Sequence, residues 1–272
     1  MTGQPMVSVS DLRLVRENHG RQLVVLDDLT FDVADREFVA IVGPSGCGKT
    51  TLLNVIDGLL PRSAGTITVN GVKVDRPGPD RGFVFQQDAL FPWRTVFSNI
   101  RLGLEARDGD RATKNTTTRE LAALVGLSGF EDHYPHQLSG GMRQRVNVAR
   151  ALAVDPQVLL MDEPFSNLDA QTREVMQEEL LRIWARRHKT VLFVTHQIDE
   201  AAYLADRVVV LSARPGTVRA TFQIELPRPR TLELKRTPEF VEIVDRIWRE
   251  IELTDSGRAL RDAGDDNDEM RV

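Results

Sequence analysis

The stretch Gly43-Pro-Ser-Gly-Cys-Gly-Lys-Thr50 decides the fold class of this chain. It matches the pattern G-x-x-x-x-G-K-[ST], follows the apolar run Phe38–Val42 and leads into a helical pattern over residues 49–60. Glycines let backbone N–H groups converge on an anion, and a helix N-terminus adds a favourable dipole. The pattern therefore predicts a phosphate-binding loop, with Lys49 reaching the β- and γ-phosphates. The residues expected to contact a nucleotide are Gly43, Pro44, Ser45, Gly46, Cys47, Gly48, Lys49, Thr50 and Thr51.

The composition narrows the classes of protein that fit. The chain has 272 residues and a net charge of -5, which argues against a general nucleic-acid binder. Its one cysteine, Cys47, excludes an internal disulfide and fits a reducing compartment. The first residues, MTGQPMVSVSDLRLV, lack the features of a signal peptide, and no apolar run is long enough to span a bilayer. Any membrane role would therefore require a partner.

Hydrophobic periodicity predicts an α/β domain with a largely parallel sheet. The start of the chain has the period-two pattern of strands, and strand and helix patterns alternate after residue 155. The segment between them has a mostly helical pattern. That stretch, about 88–155, reads as an inserted helical subdomain with a polar break at RDGDRATKNTTT. The segments predicted as strands are 7–15, 26–33, 38–42, 66–69, 158–161, 190–195 and 208–211. Helices are predicted between the last strands, at 171–188 and 199–205.

The C-terminal part divides into two further segments. Residues 226–252 comprise a proline-rich joint, LPRPR (226–230), and an amphipathic helix over 237–251. Residues 253–272 are acidic and polar, and we expect them to be disordered. The apolar face of the helix is predicted to contain Phe240, Ile243, Val244, Ile247 and Ile251.

Two acidic residues end a buried strand. Asp162 and Glu163 follow the apolar residues 158–161, which places them at the carboxyl edge of the sheet, where ligands of open α/β sheets bind. Asp162 is a candidate Mg²⁺ anchor beside Thr50, and Glu163 would orient or deprotonate an attacking water. His196, after the next strand, would contact a γ-phosphate. The alternative is a strand that simply ends in solvated acids. The presence of the phosphate loop favours the metal-binding and catalytic interpretation over this alternative.

Further motifs resemble the ATP-binding cassette (ABC) family over residues 7–225. Phe85-Gln86 resembles its glutamine loop, LSGGMRQR (138–145) its signature, 166–169 the loop after the catalytic glutamate, and His196 its switch histidine. The resemblance implies a P-loop NTPase-type ABC nucleotide-binding domain with an antiparallel β-subdomain and an inserted helical subdomain. It also implies ATP and Mg²⁺ as cofactors and ATP hydrolysis as the activity.

The resemblance assigns further site residues. Gln86, with Glu163 and His196, would form the catalytic group, and Gln86 would also contact the metal. Two copies would pair head to tail, so that Ser139, Gly140, Gly141 and Asp169 of one contact the ATP bound by the other. This would give the helix that follows Leu138 a ligand that its own chain does not supply.

Residues 78–105, GPDRGFVFQQDALFPWRTVFSNIRLGLE, look like the ATPase subunits of importers for nitrate, sulfonates, taurine and related compounds. The implied partners are transmembrane permease subunits and, indirectly, an extracytoplasmic solute-binding protein, at the cytoplasmic face of the cell membrane. Phe91, Pro92 and Trp93 would dock on the permease, unless they merely pack the helical subdomain. A soluble ABC-family ATPase without a transport role is the alternative, and the sequence does not identify the solute.

One departure from the family pattern concerns the base. The family usually stacks adenine on an aromatic residue near the first strands, but no Tyr, Phe or Trp precedes Thr30, and Arg16 stands near the expected place. The guanidinium of Arg16 would be the alternative stacking group. The sequence therefore predicts weak discrimination between ATP and GTP.

Overall fold

The computed structural model describes residues 4–18, 20–87, 89–105 and 107–268, without the side chains of residues 18, 21 and 254–268. Its strands are β1 Val7–Asn18, β2 Arg21–Val33, β3 Phe38–Val42, β4 Ala64–Val69, β5 Val72–Lys73, β6 Arg81–Val84, β7 Val158–Asp162, β8 Thr190–Val194, β9 Arg207–Leu211 and β10 Val218–Gln223. Its α-helices are α1 Lys49–Asp57, α2 Val96–Glu105, α3 Arg111–Leu124, α4 Gly140–Ala153, α5 Ala170–Arg187, α6 Ile198–Leu204 and α7 Pro238–Asp268.

The central sheet has six strands in the order β10-β9-β3-β8-β7-β6. The pairs β9–β3, β3–β8, β8–β7 and β7–β6 are parallel, and β10 adds an antiparallel edge. Every residue of β3, β7 and β8 is buried, as expected for strands covered on both faces. Along β3, Phe38 and Ala40 join the apolar cluster of the helical side, whereas Val39 and Ile41 join the cluster that contains α1.

A smaller antiparallel sheet, ordered β2-β1-β4-β5, lies on the α1 side. Leu12, Leu29 and Ile67 of this sheet share one buried cluster with Leu52 and Ile56 of α1. The shared core joins the small sheet to the helix that follows the phosphate loop. The predicted fold class, α/β with an antiparallel subdomain and an inserted helical subdomain, is confirmed.

The inserted helical segment contains α2, α3 and α4. The predicted polar break at RDGDRATKNTTT is present at residues 107–110 but is shorter than predicted, because α3 begins inside it at Arg111. The Asp110 side chain caps this helix by accepting hydrogen bonds from the N–H groups of Ala112 (2.7 Å) and Thr113 (2.9 Å). A capped N-terminus explains how a stretch with few apolar residues forms a helix.

The last helix, α7, packs one face on the domain. Phe240, Ile247 and Ile251 are buried, which agrees with the predicted apolar face. The helix continues to Asp268, whereas the sequence predicted disorder from residue 253. Residues 253–268 contain no proline to end the helix. No helix within the described residues is long and apolar enough to cross a membrane.

Candidate active site

Four loops at one edge of the central sheet form the candidate active site. They follow β3, β8, β7 and β6, which are neighbours in the sheet, so their first residues lie side by side. They surround a cavity of about 540 Å³. The cavity is lined by Ser45, Gly46, Gly48, Lys49, Thr50, Thr51, Gln86, Glu163 and His196.

The loop after β3 has the backbone that a phosphate cradle requires. Gly48 precedes α1 with φ of 105°, and a Cβ there would lie 2.9 Å from the Leu26 side chain. The buried Lys49 ammonium donates to the carbonyl oxygens of Gly43 (2.7 Å) and Pro44 (2.9 Å). Lys49 thus ties the start of the loop to the start of α1, and it also lines the cavity.

Thr50 and Asp162 meet across two elements. The Thr50 hydroxyl, at the start of α1, donates to Asp162 Oδ1 at the end of β7 over 2.9 Å. Burial raises the pKa of the Asp162 carboxyl, and the bond from Thr50 opposes that rise. A hydroxyl and a carboxylate at this distance are the hard oxygen ligands that Mg²⁺ takes beside phosphate oxygens. Within the described residues no group of three His, Cys, Asp or Glu side chains could hold a metal.

Glu163 is the centre of a hydrogen-bonded trio. Its Oε2 accepts from Gln86 Nε2 (3.2 Å) and lies 3.1 Å from His196 Nδ1. Its φ of 42° lies in the left-handed region, which is costly for a residue with a side chain. The N–H of Glu163 donates to Val194 O (2.9 Å), which keeps the turn on the sheet edge. The trio unites the three predicted catalytic residues.

Three of the predicted loop contacts, Gly43, Pro44 and Cys47, do not line the cavity. Gly43 is buried, and its carbonyl oxygen accepts from Lys49. Pro44 is buried, with its carbonyl engaged by Lys49. Cys47 is also buried, and burial raises the pKa of its thiol despite the nearby Lys49 charge. A buried thiol with a raised pKa is a poor nucleophile.

The residues predicted to act on the nucleotide of a second copy lie apart from this cavity. Ser139 caps α4 by accepting from the N–H of Met142 (3.3 Å), and Ser139 and Gly141 line another cavity of about 420 Å³. Asp169 caps α5 by accepting from the N–H of Thr172 (3.0 Å), a bond that lowers the pKa of its carboxyl. Gly140 is the first residue of α4, next to this cap.

The structure adds polar contacts that the sequence did not predict. Ser166 Oγ receives a bond from Gln86 Nε2 (3.4 Å), and Asn167 Nδ2 donates to the Gln86 carbonyl (3.4 Å). Asn167 therefore links the loop after β7 to the loop after β6. Arg214 donates to the carbonyl of Gly46 (3.1 Å) from the turn after β9. The Pro-Gly pair that follows Arg214 marks a turn, but its contact with the phosphate loop depends on the folded sheet.

Comparison with known proteins decides the family. A family model described as ABC transporter matches residues 26–166, slightly more than half of the chain. The chain belongs to the ABC transporter family. A taurine import ATP-binding protein from Rhizobium johnstonii is 47% identical to this ABC chain over 247 residues, which are 89% of the chain and 94% of that protein. A nitrate import ATP-binding protein from Synechocystis is 44% identical over 247 residues, 89% and 93% of the two lengths.

A solved ABC structure agrees. It is an ATP-binding cassette described as dimeric, in a post-hydrolysis state with ADP and Pi. It aligns with a TM-score of 0.71 at 30% identity, and covers 82% of this ABC chain and 100% of its own. The predicted likeness to import ATPase subunits is thus confirmed, and the chain is an ATP-binding ATPase subunit.

Proposed function

We propose that two copies of this chain hydrolyse MgATP to drive import of a small solute of the nitrate, sulfonate and taurine kind. The importers named for taurine and nitrate are 47% and 44% identical to it over most of both chains. Two such different solutes among close relatives mean that the exact solute stays open. The observation that carries the proposal is the trio of Glu163, Gln86 and His196 in the cavity that also holds Lys49 and Thr50.

The geometry supports a division of roles in hydrolysis. Glu163 would accept a proton from the attacking water, since its carboxylate faces the cavity beside Lys49. His196 and Gln86 hold that carboxylate from two neighbouring loops, and both would reach the γ-phosphate region. Lys49, which has three donors and gives two to loop carbonyls, would place its charge against the β- and γ-phosphates. The loop N–H groups would bind the remaining phosphate oxygens.

Thr50 and Asp162 would hold Mg²⁺, with Gln86 as a further ligand. Bound Mg²⁺ would neutralise charge that develops on the phosphate oxygens. In the part of the chain that the structure describes, the Asp162 carboxylate accepts a hydrogen bond from the Thr50 hydroxyl, and burial raises its pKa. A cation bound beside Asp162 would stabilise the ionised carboxylate, which burial disfavours.

A head-to-tail dimer would complete the site. Ser139 is exposed at the N-terminus of α4, and its cavity contains none of the phosphate-loop residues. A helix N-terminus with free N–H groups and a hydroxyl suits a γ-phosphate supplied by a second copy. The related solved cassette is itself described as a dimer. Ser139, Gly140, Gly141 and Asp169 would thus serve the partner's ATP.

A membrane partner would dock beside the helical subdomain. Trp93 is 71% exposed and contacts the half-buried Phe91 with ring centroids 5.3 Å apart. An exposed aromatic pair next to the loop of Gln86 suits a permease contact that senses the nucleotide. The chain would then lie at the cytoplasmic face of the membrane, and an external solute-binding protein would act through the permease.

The substitution Glu163→Gln tests the proposal. It preserves the shape of the side chain but removes the base, so we expect hydrolysis to fall between about 10²- and 10⁴-fold while ATP binding persists. Steady-state phosphate release and nucleotide titration measure the two quantities. Glu120→Gln, an exposed change on α3, is the matched control and should leave both unchanged. Normal turnover by Glu163→Gln would refute the role of Glu163.

A further inference from the structure

The turn that carries His196 is closed by a buried hydroxyl. Thr195, just before His196, donates from Oγ1 to the Glu200 carboxylate, and the same oxygen accepts the N–H of Gln197 over 3.0 Å. Thr195 is 2% exposed and Glu200 is 3% exposed. His196 is therefore the middle residue of a turn whose two flanking residues are both fixed by one hydroxyl. The position of Glu200 sets the position of that hydroxyl.

The buried contacts continue from Glu200 away from the cavity. Glu200 Oε1 accepts from Gln177 Nε2 of α5 (2.9 Å), and Gln177 Oε1 accepts from Lys235 Nζ (2.7 Å). Gln177 is 1% exposed, so its amide has no water to replace either partner. The order of donors fixes the orientation of the amide, because an ammonium only donates and the carboxylate oxygen accepts.

Lys235 belongs to a short 3₁₀ turn, Leu232–Arg236, in the segment that joins the ATPase domain to α7. Its ammonium lies 4.8 Å from the centre of the Tyr203 ring, 3.9 Å from Glu174 Oε1 and 4.0 Å from Asp199 Oδ2. These partners come from α5 and α6, so one side chain joins the C-terminal segment to both helices. Lys235 does not line the cavity.

We propose that Lys235 is a positioning residue for His196, acting through Gln177, Glu200 and Thr195, so that the C-terminal segment sets the rate of hydrolysis. The inference rests on the proposed role of His196. The contacts named form an unbroken route of hydrogen bonds from the segment to the turn. Because the route ends behind His196 and not at the phosphate loop, we expect it to act on turnover more than on ATP binding.

The first test is Lys235→Met, which keeps side-chain length but cannot donate. In the full-length chain we expect kcat for ATP to fall about 10-fold, since small displacements of a catalytic group are costly, while KM changes less than about twofold. Lys235→Arg, which still donates, should retain most of the rate. Lys73→Met is the matched control, because Lys73 is an exposed lysine of β5 far along the chain from this route. Equal kcat for Lys235→Met and Lys73→Met would overturn the inference.

A double-mutant cycle separates coupling from general damage. Gln177→Leu removes the amide that joins Lys235 to Glu200 and so already detaches Lys235 from the route. In that background Lys235→Met should lower kcat less than about twofold, because residues of one network are not additive. Independent, multiplying losses would contradict a shared route.

Hydrogen exchange of the peptide 193–200 provides a readout that does not need hydrolysis. The Gln197 amide is held by Thr195 Oγ1, so Lys235→Met should speed its exchange relative to both the wild type and Lys73→Met. If the wild type fails to hydrolyse ATP, the proposed function fails, and the exchange comparison still decides whether Lys235 holds the turn. If the wild type hydrolyses ATP but exchange and kcat stay unchanged in Lys235→Met, only the present inference fails.

Discussion

At the scale of single residues, the site concentrates the chain's unusual backbone and burial. Glu163 adopts a left-handed φ of 42°, and Asp162 next to it is buried at the end of β7. The local cost is borne because the sheet edge and the loops of Gln86 and His196 hold the turn. The positions of the parallel strands in the sheet, and not proximity in the sequence, bring together residues that are more than 100 positions apart, such as Gln86 and His196.

The base pocket gives a prediction about nucleotide choice. The residues that line the described cavity include no Phe, Tyr or Trp, and Arg16 is exposed on β1. Stacking on an aromatic ring is worth about 1–3 kcal/mol per base, so without it we expect the Kd values of ATP and GTP to agree within about threefold. Competition titration against a fluorescent nucleotide measures both. A strong preference for ATP would contradict the prediction.

A buried acid gives a prediction about pH and stability. Burial raises the pKa of Asp57, at the end of α1, to about 6 from 3.8; nearby Arg81 opposes the rise and Asp80 adds to it. The folded state therefore holds a proton that the unfolded state has lost, and Asp57 destabilises the fold increasingly as pH rises between these two values. Asp57→Asn should be more stable than the wild type at about pH 7 by about 1–3 kcal/mol, and by much less at about pH 4.

Urea unfolding at several pH values measures that difference in the free energy of unfolding. Arg81 keeps its contacts with Asp80 and with the Arg76 carbonyl (2.8 Å) in the variant. The exposed Asp132→Asn is the control and should show no such pH dependence. A stability difference between Asp57→Asn and the wild type that is the same at every pH would exclude the proposed cause.

At the scale of elements, the sequence predicted what local pattern determines. β3 was predicted at Phe38–Val42 because an apolar run between polar residues ends at Gly43. α1 ends at Asp57, three residues before the predicted end, because Gly58 caps it with φ of 85°. β6 and β10 were not predicted, since one has four residues and the other is a half-exposed edge. Both segments form strands because they pair with neighbouring strands, β9 and β7. A local sequence pattern carries no information about such pairing.

The same distinction holds for the site. Lys49, Thr50, Asp162 and Glu163 follow apolar runs that fix their place at strand ends, so they were predictable from local sequence. Contacts such as Arg214 with Gly46, or Lys235 with Gln177, join elements far apart in the chain. They depend on how the linker and the turn after β9 pack on the finished sheet.

The exposed aromatic pair gives a prediction at this scale. Trp93→Ala should lower the fraction of the chain that binds membranes from the native host about 10-fold, because buried aromatic anchors dominate the energy of interfaces. Hydrolysis by the isolated chain should change little, since Trp93 does not line the cavity. Trp248→Ala, which removes a 50% exposed tryptophan of α7, is the matched control. Equal membrane binding by the two variants would place the permease contact elsewhere.

At the scale of the whole molecule, the proposed dimer would combine two separate cavities of one copy with those of the other. The cavity at the sheet edge is lined by the phosphate loop and by Gln86, Glu163 and His196, whereas Ser139 and Gly141 line a different cavity. Each copy would lend its α4 N-terminus to the other, so hydrolysis would require two chains. The long C-terminal helix, α7, shares a buried apolar cluster with α6. The linker before α7 therefore lies against the ATPase domain.

The most direct measurement mixes two inactive variants of the chain. Lys49→Ala damages the phosphate loop but leaves Ser139 intact. Ser139→Asp retains a good helix cap but sets a negative charge against the γ-phosphate of the partner's ATP. Each alone should hydrolyse almost nothing, whereas an equal mixture contains dimers with one complete site and should regain up to about a quarter of the wild-type rate under random pairing. A mixture as inactive as its components would contradict a site shared between two copies.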